Sequence, residues 1–418
     1  MKIILFVENI QHGGLDTFCS TLLNAWPDSE DVFVVVCNSS HPGKVVLQKA
    51  VMRECEFVFH NIPLSWSISR RFLWWLPFAA RRSVQPFLRI ILYPLQLLAL
   101  RSLLRNLKGD ALLVVNGGFP GGESCRIANI AWADLDKVGH VRPSVHNFHN
   151  FAVKPRFGLG WFENRLDRLL VRSTNHLISV SRSCANSLRF RCSFREAETI
   201  GYIYNGINSK ASRDLSNEFD LRKKLKIGNA PLCLLLANYE PRKGHRFLFE
   251  VFSLVAEAIP SAHLVACGGG GVEERAVVEA ARRELAPKAN IHLLGFVPDG
   301  PKLIDQADVV AISSQSFESF GLTAVEAMAR GVPVVATRVG GLPEVVGDNG
   351  EGGYVVEADD VKGFAAHLIR LLREPQLRKE LGILGRQRAE TLFAAQRMAE
   401  EYRKLLIIEK LKDDWRRS

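Results

Sequence analysis

Four polar clusters in the second half of the chain carry residue types able to hold a phosphate-bearing ligand. Pro241-Arg242-Lys243-Gly244-His245 sets two adjacent cations after an apolar run and at the opening of a helical stretch. Cations at a strand end beside a helix N-terminus suit a diphosphate. Cys267-Gly268-Gly269-Gly270-Gly271 follows a second apolar run, where four glycines let the backbone approach a ligand closely. It lacks the acidic residue that completes a dinucleotide-binding fingerprint. The third cluster runs from Glu318 to Glu326, reading Glu-Ser-Phe-Gly-Leu-Thr-Ala-Val-Glu. Glu318 falls in a loop and Glu326 inside a short helix of small and apolar residues. Such a helix is buried, and a carboxylate within it needs a partner. The amides from Ser319 to Thr323 would form its N-terminus. The fourth cluster is Val339-Gly340-Gly341-Leu342-Pro343-Glu344. Taken singly, the first also reads as a solvated basic turn and the second as a flexible turn.

These clusters all follow short apolar runs. Leu232–Ala237, His263–Cys267, Ile291–Leu294, Val309–Ile312 and Val334–Thr337 read as buried strands. His245–Ala258, Glu273–Leu285 and Leu322–Arg330 read as helices between them, the last stopped by Gly331. The first half repeats the alternation, with strands expected at Lys2–Val7, Val32–Cys37, Ala111–Val115 and His140–Val145. Strands alternating with helices predict parallel, doubly wound sheets, whose ligands sit at the carboxyl ends of strands. At 418 residues, one core is too few. The sequence predicts two such α/β domains, joined within the polar stretch 205–230, and a long C-terminal helix over 393–414.

Glu318 and Glu326, with Gly321-Leu322 between them and Ala327 to Gly331 after, and with Gly340-Gly341 and Glu344 downstream, resemble family 4 of the retaining glycosyltransferases, of the GT-B fold. The resemblance covers most of the chain. Gly13-Gly14 is similar to the family's first phosphate loop, and His146 to its active-site histidine. Ile178 to Ser181 and Tyr204 to Ile207 match segments before the hinge, and Gly295 to Asp299 the base-binding turn. The resemblance implies an acceptor domain over 1–208, a nucleotide-sugar domain over 209–392, and a helix over 393–418 that packs back on the first domain. It implies a sugar nucleotide in the cleft between them. Lys243 and Arg242 would hold the diphosphate, Glu326 the ribose hydroxyls and Glu318 those of the sugar. Val297 and Asp299 would meet the base, while Gly321, Leu322, Thr323 and the Gly13-Gly14 amides approach the phosphates. The family's usual arginine, three or five residues before its lysine, is replaced by Glu240 or Asn238, and Arg242 is the candidate substitute. No metal is expected, because no DxD-like motif stands out and the two cations can serve instead. His149, three residues after His146, has no further ligand nearby to make a metal pair.

Composition narrows the setting. The chain is 47% hydrophobic and 23% charged, which excludes disordered, collagen-like and disulfide-framework classes. Its eight cysteines form no CxxC pair, as expected of reduced thiols in a cytoplasmic protein. No signal peptide is expected, and no membrane-spanning helix, since the longest uncharged apolar run, Ile90 to Leu100, contains Pro94. The net charge of +10 is concentrated: residues 57–109 hold eight Lys/Arg and no Asp/Glu. Within 66–108 these cations interleave with Trp, Phe and Leu, the composition of a segment lying in a membrane interface. A pair of buried helices with arginines reaching solvent is the plainer reading. So much Leu and Ile argues against nucleic acid. The expected activity is transfer of a sugar to a lipid-linked or membrane-surface glycan in envelope polysaccharide synthesis, on the cytoplasmic face. The alternatives are a GT-B epimerase of sugar nucleotides and a catalytically silent, membrane-bound binding protein.

Overall fold

The computed structural model describes residues 1–10, 13–135, 142–155, 159–195, 197, 200–208, 220–297, 300–348 and 350–417. The chain forms two compact units, Met1–Gly206 with Ala395–Ser418, and Ile207–Ala394. Each has one parallel sheet covered by helices.

In the first unit, β1 (Lys2–Glu8), β2 (Val32–Asn38), β3 (Cys55–His60), β4 (Ala111–Asn116), β5 (Ser144–Phe148), β6 (His176–Ser179) and β7 (Ile200–Tyr202) lie in the order β3-β2-β1-β4-β5-β6-β7. Residues such as Ile3 to Phe6, Phe33 to Val36 and Ala111 to Val115 are fully buried. Both faces of these strands are therefore covered, which is why they read as unbroken apolar runs rather than alternating ones. The helix Ala395–Arg417 belongs here, inserting Met398, Ala399, Tyr402 and Leu406 into the core against Phe18 and Leu22. In the second unit, β8 (Leu232–Leu236), β9 (His263–Cys267), β10 (Asn290–Gly295), β11 (Val309–Ile312), β12 (Val334–Thr337) and β13 (Gly353–Val356) lie in the order β10-β9-β8-β11-β12-β13.

The strand order reverses between β1 and β4 in one sheet and between β8 and β11 in the other. Adjacent connections leave toward opposite faces at these switch points, and the crevice that opens at the carboxyl ends is where such sheets bind ligands. The clusters after β8 and β11 thus share one crevice edge by topology alone.

One expected strand is displaced. The segment expected at His140–Val145 pairs instead as Ser144–Phe148, with residues 136–141 outside the described part. Pro143 has no amide to give a ladder, so pairing begins after it and ends three residues later than expected. One helix, Phe78–Leu107, was not anticipated at its full length. Its portion Ser83–Leu107 is long and apolar enough to cross a membrane, which corrects the expectation that no segment reaches that size.

Candidate active site

The second unit gathers its expected site residues at the β8/β11 crevice. After β8, Pro241–Lys243 forms one turn of 3-10 helix that leads through Gly244 into the helix His245–Ala258. Gly244 has a φ of +71°, and a Cβ there would collide with the carbonyl oxygen of Ser313. A glycine is required for the β8 loop to lie directly on the β11 loop. Two hydrogen bonds fasten them: Ser313 Oγ donates to the Lys243 carbonyl (2.8 Å), and the Gln315 amide to the Arg242 carbonyl (2.8 Å).

That backbone seam brings Lys243 Nζ to 2.5 Å from Glu318 Oε2, which also accepts from Ser314 Oγ at 3.2 Å. Both side chains keep part of their surface in solvent. The fourth cluster closes the loop from below. The Gly341 amide donates to the Glu318 carbonyl (2.8 Å), and Gly340, with φ of +57°, lies so close that a Cβ would strike that same oxygen. So the turns at Gly244 and Gly340-Gly341 fix the backbone that carries Lys243 and Glu318.

Arg242 is placed differently from Lys243. Its Nε pairs with Glu240 Oε2 at 2.6 Å, its guanidinium lies 5.0 Å over the Phe317 ring, and Glu318 is 4.0 Å away. It is held at the rim by its own neighbour. Glu240, which stands at one of the positions where the family usually has a cation, is the residue that holds it.

The helix Leu322–Ala329 starts from Gly321 at φ +102°. Leu322 and Thr323 occupy its first turn, where amides have no partner within the helix. Glu326 is one turn in. No hydrogen bond to its carboxylate occurs among the described residues, and Arg330 is the nearby cation. Burial pushes the Glu326 carboxyl up to about 7, with Arg330 opposing. The expectation of a committed partner is therefore not met inside this unit: the carboxyl is sheltered and has hydrogen-bonding capacity to spare. At the sheet's other edge the Gly295 amide donates to Tyr239 Oη (3.0 Å), setting the turn that carries half-buried Val297. Asp299 lies outside the described residues.

In the first unit the expected histidine moves. His146 is the middle residue of β5 rather than its end, and it is fully buried. Its Nδ1 donates to Asn129 Oδ1 (2.7 Å), and its Nε2 accepts from Asn116 Nδ2 (3.3 Å). Burial, then the charge of Arg126, lowers its pKa to about 3. Both nitrogens are engaged, so His146 orients Asn116 at the switch point and is not itself presented there. The imidazole just past the carboxyl end of β5 is His149. Its amide donates to the Asn116 carbonyl (2.9 Å), its ring meets Phe18 edge-on at 4.1 Å, and its Nε2 has no hydrogen-bond partner among the described residues. Burial lowers its pKa to about 3, so it is a neutral donor or acceptor at physiological pH. The signal for it was Pro143, which resets where β5 ends.

Gly13 and Gly14 stand where β1 hands over to the helix Gly14–Asn24, and no described residue apart from chain neighbours lies within 4 Å of a Cβ built on Gly13. The Gly13 amide donates to Asp16 Oδ2 (3.2 Å). Beside them the unit carries a buried polar network that the sequence did not disclose. Glu8, the last residue of β1, accepts from the Ser124 amide (2.7 Å) and its hydroxyl (2.5 Å). Burial, then the charge of Glu123, raises its carboxyl to about 7. Further in, Arg126 and Arg191 pair with Glu163 and Asp167 at 2.6–3.1 Å. Both guanidiniums face the Phe119 ring.

Two doubly wound parallel sheets, the second with a lysine–glutamate pair beside a helix N-terminus at its switch point, are the arrangement of the GT-B fold. Comparison with known proteins agrees. Residues 216–388 match the family model described as glycosyl transferases group 1. The chain is 27% identical over 254 residues to N-acetyl-alpha-D-glucosaminyl L-malate synthase of Bacillus anthracis, covering 60% of this chain and 64% of that one. It is 34% identical over 269 residues to D-inositol 3-phosphate glycosyltransferase of Segniliparus rotundus, covering 61% and 58%. Among solved structures, Anabaena HepE in complex with UDP superposes with a TM-score of 0.71 at 18% identity, covering 97% of this chain and 99% of that one. The chain has the fold of that solved structure, and its residues 216–388 match the glycosyl transferases group 1 model. Its matches span less than two thirds of the length of these curated relatives.

Proposed function

We propose that the protein transfers a sugar from a nucleoside-diphosphate sugar to an acceptor, with retention of anomeric configuration. The observation that carries this reading is the Lys243–Glu318 pair at the switch point, beside the first turn of Leu322–Ala329 and the uncommitted Glu326. Lys243 stabilises the charge that develops on the departing diphosphate, together with the amides of Leu322 and Thr323. Glu326 accepts hydrogen bonds from the ribose hydroxyls, and Glu318, balanced by Lys243, from those of the sugar. Val297, with Asp299, meets the base. Arg242, held at the rim, adds long-range positive charge. The sugar–phosphate bond breaks, the acceptor oxygen bonds to the same face of the anomeric carbon, and the acceptor's proton passes to the leaving phosphate oxygen. No metal is assigned to this step, since Lys243 and the helix amides supply the positive field.

The first unit receives the acceptor at the β1/β4 edge, with Gly13-Gly14 and His149 supplying contacts there. The acceptor is a lipid-linked or membrane-surface glycan in envelope polysaccharide synthesis, and the protein works peripherally at the cytoplasmic face. The acid-free basic block over 57–109 supports this placement. A panel of nucleoside-diphosphate sugars, assayed for nucleoside diphosphate release with and without lipid-linked acceptors, tests it. Acceptor-dependent release with one donor is expected, and release from none of them would overturn the reading.

A further inference from the structure

Seven large apolar side chains in one stretch of the first unit stand more than half exposed: Phe72, Trp74 (73%), Trp75, Phe87, Ile91 (70%), Leu95 and Leu98. The last four recur at helical spacing along Phe78–Leu107 and so form one stripe. Phe72, Trp74 and Trp75 sit where that helix is joined to the preceding one, Ser65–Phe72. The opposite stripe of the long helix is committed. Leu92, Gln96, Leu100 and Leu104 are buried, the last two in the core around Trp132.

Four donors from three residues of this hairpin converge on one carboxylate. The Ser65 amide and hydroxyl, Gln96 Nε2 (2.9 Å) and Arg89 Nε (3.1 Å) all donate to Glu123. The next residue, Ser124, holds Glu8 at the carboxyl end of β1. Arg89, counted with the interfacial cations from composition, in fact points inward. Arg70 and Arg71 remain at the surface.

We propose that this hairpin is an in-plane anchor for an anionic bilayer. Trp74, Trp75 and the Phe87/Ile91/Leu95/Leu98 stripe enter the interface, while the inner face stays bonded to Glu123 beside the acceptor edge. The inference builds on the membrane-surface reading above. Charge selects the occupant: the segment has cations and no acid, which an anionic surface complements and a second copy of the same face repels. The helix does not cross the membrane, because spanning would strip Leu100 and Leu104 from the core and Arg89 and Gln96 from Glu123. Lying flat, it places a lipid-borne headgroup next to the β1 edge.

The test uses the full chain with zwitterionic vesicles and with vesicles containing a quarter anionic lipid. Wild type is expected to sediment with the anionic vesicles, less so at high salt. Brominated acyl chains near the interface should quench its tryptophan emission, and this quenching should disappear in W74F/W75F. Replacing Phe87, Ile91, Leu95 and Leu98 by Ser should lower partitioning at least roughly tenfold, while R70Q/R71Q should weaken it only at low salt. Nucleoside diphosphate affinity should not change in any of these variants. Wild-type partitioning of the four-serine variant would overturn the anchor. So would light scattering showing a lipid-free dimer that the four-serine variant dissolves. Vesicle binding without any sugar-nucleotide affinity would leave the anchor standing and remove the transferase reading instead.

Discussion

The two units each set cations against carboxylates near a switch point, yet the two clusters differ in kind. In the first, Arg126 and Arg191 are wholly buried and each is bonded to both Glu163 and Asp167, with the Phe119 ring against both. Desolvated charges hold only when every partner is supplied. Such a quartet pairs its own charges, and it braces the loop after β4 through the Phe119 ring. In the second, Lys243 and Glu318 keep part of their surface in water, and Glu326 has no described hydrogen bond. A cation–carboxylate cluster is therefore structural when closed and available for chemistry when open.

Variants should separate the two. The largest effect is expected from Arg191→Met. Removing one member leaves the buried Asp167 and Glu163 carboxylates with Arg126 as their remaining guanidinium in the quartet, at a cost of about 3–5 kcal/mol in stability. Thermal unfolding should show the loss, with nucleotide affinity unchanged in protein that remains folded. Lys243→Ala should do the reverse. Turnover should fall by the worth of a lost transition-state donor, about 2.7–4 kcal/mol, with the melting temperature nearly unaffected. Calorimetry should also show diphosphate affinity falling at least roughly tenfold, in line with loss of a charge-assisted bond.

The same contrast divides His146, inside β5, from His149, just past its carboxyl end. His149→Ala should reduce turnover about 10²-fold or more while the protein unfolds as wild type does, as expected for a group in contact with substrate. His146→Ala should instead remove the partner of Asn129 Oδ1 and of Asn116 Nδ2 inside the core, costing about 1–3 kcal/mol of stability. Equal losses of turnover with no change in unfolding for both would break the distinction.

Glu326 offers the smallest effect and the sharpest pH signature. Its folded pKa of about 7 lies above the usual carboxylate value, so ionisation is resisted in the folded protein. Its stabilising contribution is complete below the unfolded pKa of 4.5 and lost as pH rises through 7. Glu326→Gln should therefore gain stability relative to wild type between pH 5 and 8, on the order of 1–3 kcal/mol. A carboxylate is the better acceptor for ribose hydroxyls, so wild-type donor affinity should rise with pH through about 7, and the glutamine variant should lose that dependence.

Much of the second unit was legible because its chemistry is local. His263–Cys267, Val309–Ile312 and Val334–Thr337 stand where their apolar runs placed them, and the polar loops after β8 and β11 carry Lys243 and Glu318. The first unit was harder for reasons of distance. Glu123 draws on Ser65, Arg89 and Gln96 from an acid-free stretch upstream, and nothing near Arg89 in sequence announces an inward turn. His146 was misplaced because the Val145-containing run was followed toward His140, across Pro143. Short strands β3, β6, β7 and β13 were not read as strands, since each mixes polar or half-exposed residues into three to six positions.

The central claim, sugar transfer from a nucleotide donor held at Lys243 and Glu318, is tested most directly by NMR of the first-formed product. The wild-type reaction should release nucleoside diphosphate one for one with a glycoside of the donor's anomeric configuration, and Lys243→Ala should suppress both signals together. An inverted glycoside, or a sugar nucleotide isomerised without release of nucleoside diphosphate, would contradict the account.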